Sequence, residues 1–174
     1  MIALKRQKIP FWVSDGTCLG TYCQKGMIKH DCDIDLMVTL EDLKRFQVDD
    51  SQFPSWVQWR DHRDDADYCK LVFSNANAPR ECKFQDALQQ SSAELDLYCM
   101  VPATPGDTFH FRKQDLRYPQ TWKGSDIYPL QSGVFEGRVV PVPHCMKNYL
   151  EAIYGYIGEN AVWDEKTKRY RPRS

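Results

Sequence analysis

Three aspartates at alternate positions, Asp31, Asp33 and Asp35, stand in the segment DCDIDLMV. Successive side chains on a strand point to opposite faces, so the three carboxylates share one face while Ile34, Leu36 and Val38 take the other. Like charges this close repel and raise one another's pKa, and a cation among them relieves the repulsion. Hard carboxylate oxygens suit magnesium or manganese, and magnesium is usually held by one or two carboxylates plus substrate phosphates. The chemistry implied is phosphoryl-centred transfer, in which a metal offsets charge on the phosphorus oxygens and aligns the attacking and leaving oxygens. Asp33 and Asp35 are the expected ligands, with Asp31 the preceding acid of the cluster.

Two other stretches point to the same chemistry. A later strand expected over Glu94–Val101 puts Leu95, Leu97 and Cys99 on one face and Asp96 with Tyr98 on the other. Asp96 is the natural third carboxylate, completing the metal shell or taking the acceptor's proton. Upstream, Ser14 or Asp15 caps a short helix running through Leu19 and Tyr22, with Gly26 as its expected end. A helix N-terminus favours a phosphate. Gly16 lets the backbone approach one closely, and the Thr17 hydroxyl is expected to donate to a phosphate oxygen.

The remaining elements must hold these residues in place. Ala3 to Lys8 reads as the last turns of a helix, and Pro10 forces Phe11-Trp12-Val13 to be extended. Thr39 with Asp42 forms an approximate capping box for a short helix. Strands are expected at Trp56–Arg60 and Tyr68–Phe73, with the run Asp61 to Asp67 as a solvated turn between them. Residues 75–93 read as loop or short helix, and Pro102 to Ser125 as a long loop of turns. A hairpin follows over Ile127 to Val142 with its turn near Glu136-Gly137. The last helix carries Met146, Tyr149, Leu150, Ile153 and Tyr154 at helical spacing and ends at Gly155.

The chain has 174 residues, enough for one domain with a real core and too few for two of ordinary size. We expect that domain over residues 1–160, followed by a basic tail over 161–174 whose end, Lys166 to Ser174, reads as disordered or weakly held. An apolar content of 42% and aromatic content of 13% fit a globule. The mean hydropathy of -0.60 argues against a membrane protein, and no apolar run of spanning length is present. The net charge of -1 gives no bias toward nucleic acid. The seven cysteines, Cys18, Cys23, Cys32, Cys69, Cys82, Cys99 and Cys145, form no C-x-x-C pair and read as reduced structural thiols.

The G-T-x-L-G segment at Gly16, the aspartate strand, the later Leu95-Asp96-Leu97, the V-P-V-P at Val140 and the Y-L-x-x-x-Y-G at Tyr149 together resemble the LicD/fukutin family. The likeness spans about Phe11 to Gly155. It implies an α/β (α+β) nucleotidyltransferase-like fold, a mixed sheet flanked by helices in a single domain. It also implies metal-dependent transfer of a phospho-alcohol, of the phosphocholine or ribitol-phosphate type, from a CDP-linked donor to a hydroxyl of a glycan or glycoprotein, with CMP released. The alternatives are nucleotidyl transfer to another acceptor, or a non-catalytic homologue that binds nucleotide or glycan.

The resemblance assigns metal binding to Asp31, Asp33, Asp35 and Asp96, and the phosphate-side turn to Gly16 and Thr17, followed by Gly20 and Gly26. Where the family carries a basic residue after L-G-x-x this chain has Cys23, and Lys25 or Lys29 is expected to supply the charge. Lys29-His30 stands where the family has Pro-Trp, with His30 read as an exposed histidine. As written, the chain reads as cytoplasmic, and as a Golgi-lumen protein if a membrane anchor precedes it. A missing first helix is expected to leave apolar surface near Phe11 and Trp12 uncovered.

Overall fold

The structure is a computed structural model and describes residues 1–29, 31–66, 68–74, 76, 78–79, 92–103, 107–111, 121–167 and 169–173. A short first helix, α1 (Ile2–Arg6), ends ahead of Pro10, and the apolar pair Trp12–Val13 forms strand β1. Helix α2 (Asp15–Cys23) follows, then strand β2 (Asp33–Thr39), which runs antiparallel to β1 with Trp12 opposite Met37. Thr39 caps helix α3 (Leu40–Arg45): its hydroxyl accepts the Asp42 N–H at 3.1 Å and donates to the Asp42 carboxylate at 2.8 Å. The expected capping pair is therefore present, with the shorter Asp42 taking the hydroxyl proton instead of reaching back to the backbone.

Strands β3 (Val57–His62), β4 (Tyr68–Ser74) and β5 (Ser92–Ala103) complete the main sheet in the order β1-β2-β5-β4-β3. The β2–β5 pair is parallel and the other pairs are antiparallel. The turn expected over Asp61 to Asp67 is instead the end of β3 plus a four-residue helix, α4 (Arg63–Ala66). Arg63 anchors it by gripping the Asp61 carboxylate, which holds that acid down at about 2, and by donating to the Phe46 carbonyl at 2.9 Å. Strand β6 (Thr108–His110) pairs with the far end of β5, and β7 (Trp122–Lys123) pairs with β6. Both fall where the sequence suggested only turns, being strands of two or three residues too short to show a period. Residues 75–93 lie mostly outside the described residues, as does His30.

One face of the sheet is polar and the other apolar, as the alternation in β2 requires. Register sets Asp33, Asp35 and Met37 beside Glu94, Asp96 and Tyr98, and these beside Val72, Lys70 and Tyr68. On the opposite face Leu36, Leu71, Leu95 and Leu97 meet α1, Phe46 and Trp59 around a cavity of about 550 Å³. Phe11 and Trp12 are fully buried, contrary to the sequence expectation. Trp12 packs edge-on against Tyr128 at 5.8 Å, and its indole N–H donates to the Tyr149 hydroxyl at 3.5 Å. At α1, by contrast, Ile2 is exposed.

Helix α5 (Gly124–Ile127) leads into the hairpin of β8 (Gln131–Phe135) and β9 (Arg138–Val142), which turns at Glu136-Gly137 as expected. Helix α6 (Met146–Tyr154) then buries Tyr149, Leu150 and Ile153 against α2 and the sheet. Each such side chain contributes on the order of 1.5–3 kcal/mol of transfer free energy. The left-handed Gly155, at φ 81°, ends the helix. The basic tail is not disordered: β10 (Ala161–Asp164) and β11 (Arg169–Pro172) form a hairpin, with Trp163 edge-on to Tyr170 at 5.0 Å. Basic composition alone gives no hint of that aromatic cross-strand contact.

Candidate functional site

The site is built where α2 begins against β2. The Ser14 N–H donates to the Asp35 carbonyl at 3.0 Å, and the Asp35 N–H donates to the Thr17 hydroxyl oxygen at 2.9 Å. The Gly16 N–H donates to Asp35 Oδ2 at 3.1 Å. The first turn of the helix thus grips the backbone and the carboxylate of one strand residue, and the positive end of the helix dipole favours that carboxylate. A Cβ on Gly16 would stand 2.5 Å from Asp31 Oδ2, so glycine leaves room for that carboxylate, whereas the 3.5 Å to Asp35 Oδ2 is ordinary contact. Behind it, the Ser14 hydroxyl lies 2.7 Å from Asp15 Oδ2 and 2.6 Å from the buried Tyr149 hydroxyl, tying the turn to α6.

The parallel register then adds β5. Asp35 lies directly opposite Asp96, and Asp33, Asp35 and Asp96 each offer an oxygen within 4.8 Å of the others. Asp35 is 6% exposed and Asp96 4%. Burial, followed by the charges of Asp15, Asp33, Asp96 and Asp31, pushes Asp35 up to about 8. Burial and a carboxyl–carboxyl hydrogen bond with Asp31 push Asp33 up to about 6. Asp96 is also raised by burial, against the opposing pull of the Tyr98 hydroxyl and Lys70.

Asp96 divides its oxygens. Oδ2 accepts the Tyr98 hydroxyl at 2.8 Å, whereas the buried Oδ1 accepts no hydrogen bond. The Lys70 ammonium lies 3.3 Å from Oδ1, close enough to pair by charge but not aligned to donate, and it is bonded to Glu94. Three converging carboxylates and one unbonded buried oxygen form an all-oxygen donor set that suits a hard divalent ion. A pocket of this kind lowers its own repulsion by taking up such an ion.

The structure brings Asp33, Asp35 and Asp96 together, with Asp31 hydrogen-bonded to the group and Gly16 against it. Thr17 is a correction: its side chain is 1% exposed and its hydroxyl accepts the Asp35 N–H, so it positions the strand and does not face a phosphate. Lys25 and Lys29 are exposed on the loop between α2 and β2, where Lys25 at φ 59° takes the left-handed place expected of Gly26. Among the described residues, Lys70 is the basic side chain within ion-pair reach of the cluster, at Asp96. Sequence reading missed it because a lysine in a half-buried strand gains meaning only once the β4–β5 register sets it opposite Asp96.

The model of the LicD/FKTN/FKRP nucleotidyltransferase domain matches residues 8–145. The ribitol-5-phosphate transferase FKTN of Homo sapiens is 44% identical over 176 residues, which cover 94% of this chain and 32% of that protein. The FKTN of Macaca fascicularis shows the same identity and coverage. The chain therefore spans about a third of the length of these relatives. The solved structure of the lincosamide antibiotic adenylyltransferase LnuA, with lincomycin bound, matches with a TM-score of 0.43 at 9% identity, covering 80% of this chain and 73% of that one.

Proposed function

The chain belongs to the LicD/FKTN/FKRP nucleotidyltransferase-domain family, and we propose that it transfers a phospho-alcohol from a CDP-linked donor to a hydroxyl of a glycan. The observation that carries this reading is the convergence of Asp33, Asp35 and Asp96 on one point beside the N-terminus of α2. The names of the relatives favour ribitol 5-phosphate as the group moved.

In this reading Asp33, Asp35 and Asp96 hold magnesium or manganese, and Asp31 adds negative charge behind them. The bound ion would neutralise charge developing on the phosphorus oxygens. The chain's own residues do the remaining work. Gly16 donates its N–H to the Asp35 carboxylate and leaves room for that of Asp31, and Thr17 and Ser14 fix the height of Asp35 on its strand. Tyr98 orients Asp96 by holding Oδ2. The acceptor oxygen forms its bond to the phosphorus bearing the alcohol, and the bond from that phosphorus to the diphosphate bridge breaks. CMP leaves with the electron pair, and the hydroxyl proton passes to a cluster carboxylate.

The test is calorimetric titration of the purified chain with CDP-ribitol and CDP-choline, with and without magnesium, beside Asp33→Ala. The expected result is magnesium-dependent binding, stronger for CDP-ribitol and lost in the variant. Binding that ignores both magnesium and Asp33 would overturn the assignment.

A further inference from the structure

Four carboxylates, those of Asp31, Asp33, Asp35 and Asp96, crowd one side of the sheet, and among the described residues Lys70 is the ammonium within ion-pair distance of one of them, Asp96. Lys70 arrives from β4, the strand beyond Asp96, with its side chain 19% exposed and its head between Glu94 and Asp96. The two contacts differ in kind. Glu94 receives a short hydrogen bond, whereas Asp96 Oδ1 lies 3.3 Å away without one. Tyr98 holds Oδ2 with a hydrogen bond, and the ammonium is the cation already seated beside Oδ1. The ammonium and an ion held by Asp33, Asp35 and Asp96 would therefore share the Asp96 carboxylate.

Resting on the metal-dependent reading above, we propose that Lys70 is a resident counter-cation of the acid cluster: it offsets the charge of Asp96 in the metal-free protein and weakens the affinity of the cluster for a divalent ion. Because the Asp96 contact lacks a hydrogen bond, the ammonium can give it up without losing a directional partner. Glu94 keeps the ammonium tethered when it does. An ordinary cross-strand ion pair would stabilise the sheet and leave metal affinity alone, which is the rival account.

Mn2+ titration, followed by the electron paramagnetic resonance signal of the free ion, separates the two in wild type, Lys70→Met and Lys70→Arg. Methionine keeps the apolar stem and removes the charge, and arginine keeps the charge. Two like-signed cations a few ångströms apart near a protein surface repel enough that Lys70→Met should bind Mn2+ on the order of tenfold tighter. Lys70→Arg should stay within about twofold of wild type on the same reasoning. In EDTA, Lys70→Met should melt below wild type and recover when Mn2+ is added.

Unchanged or weaker Mn2+ binding by a folded Lys70→Met overturns the proposal while leaving the metal site standing. A Lys70→Met chain that folds only with Mn2+ supports the proposal, and one that fails to fold even then refutes it. No Mn2+ bound by folded wild type would overturn the metal reading itself, and this inference with it.

Discussion

Asp35 is the residue at which burial and charge disagree most, and neutralising it has a consequence that can be worked out. Its folded-state pKa of about 8 lies above the usual carboxylate value of 3.8. A raised carboxylate favours the protonated form in the folded chain. Its folded state therefore loses stability, relative to the unfolded state, as pH rises from about 4 to about 8, and no further above that. Between pH 5.5 and 8 the difference is up to about 3 kcal/mol, at 1.36 kcal/mol per pH unit. Asp35→Asn abolishes the titration and keeps an oxygen for the Gly16 N–H. In EDTA the variant should gain on wild type by about 3 kcal/mol between those pH values, roughly 6–12 °C in melting temperature for a chain of this size. Circular-dichroism melts of both proteins at pH 5.5 and 8 measure it. Magnesium should raise the wild-type melting temperature at pH 8 and do little for Asp35→Asn. An advantage of the variant that does not grow with pH would refute the electrostatic account of the cluster.

Two neighbours of that residue give independent checks. Thr17→Val is nearly isosteric and leaves the Asp35 N–H without its acceptor, so chemical denaturation should show a loss of about 1–3 kcal/mol; unchanged stability would mean that the tie between α2 and β2 is dispensable. Gly16→Ala places a methyl 2.5 Å from Asp31 Oδ2, so Mn2+ affinity should fall several-fold while the far-ultraviolet circular dichroism stays unchanged. Wild-type affinity in that variant would show that Asp31 can move aside freely.

The acid strand was legible because a period of two is visible without any tertiary information, and the strand carrying Asp96 was legible for the same reason. What could not be read was whatever depends on which strands become neighbours. Lys70 becomes part of the site only through its register with Asp96, and Thr17 becomes a strut only because α2 lands on β2. Both residues have ordinary local sequences. The burial of Phe11 and Trp12 was missed likewise, because Tyr128 and Tyr149, which pack on Trp12, come from the other end of the chain. The C-terminal hairpin was masked by its own basic residues, whose charge says little about whether Trp163 and Tyr170 meet across a turn.

The parallel pairing of β2 with β5 also governs the order in which the site can exist during synthesis. Asp31, Asp33 and Asp35 leave the ribosome well before Asp96, and β3 and β4 are made in between. Parallel strands cannot join through a tight turn, so β2 must wait for a partner that arrives late. In that interval the strand carries Asp33 and Asp35 on one side, with Asp31 just ahead of it. Exposed charge on a waiting strand discourages pairing with other chains. The residues that build the site are thus also those that set like charge along the strand with the longest wait for its neighbour.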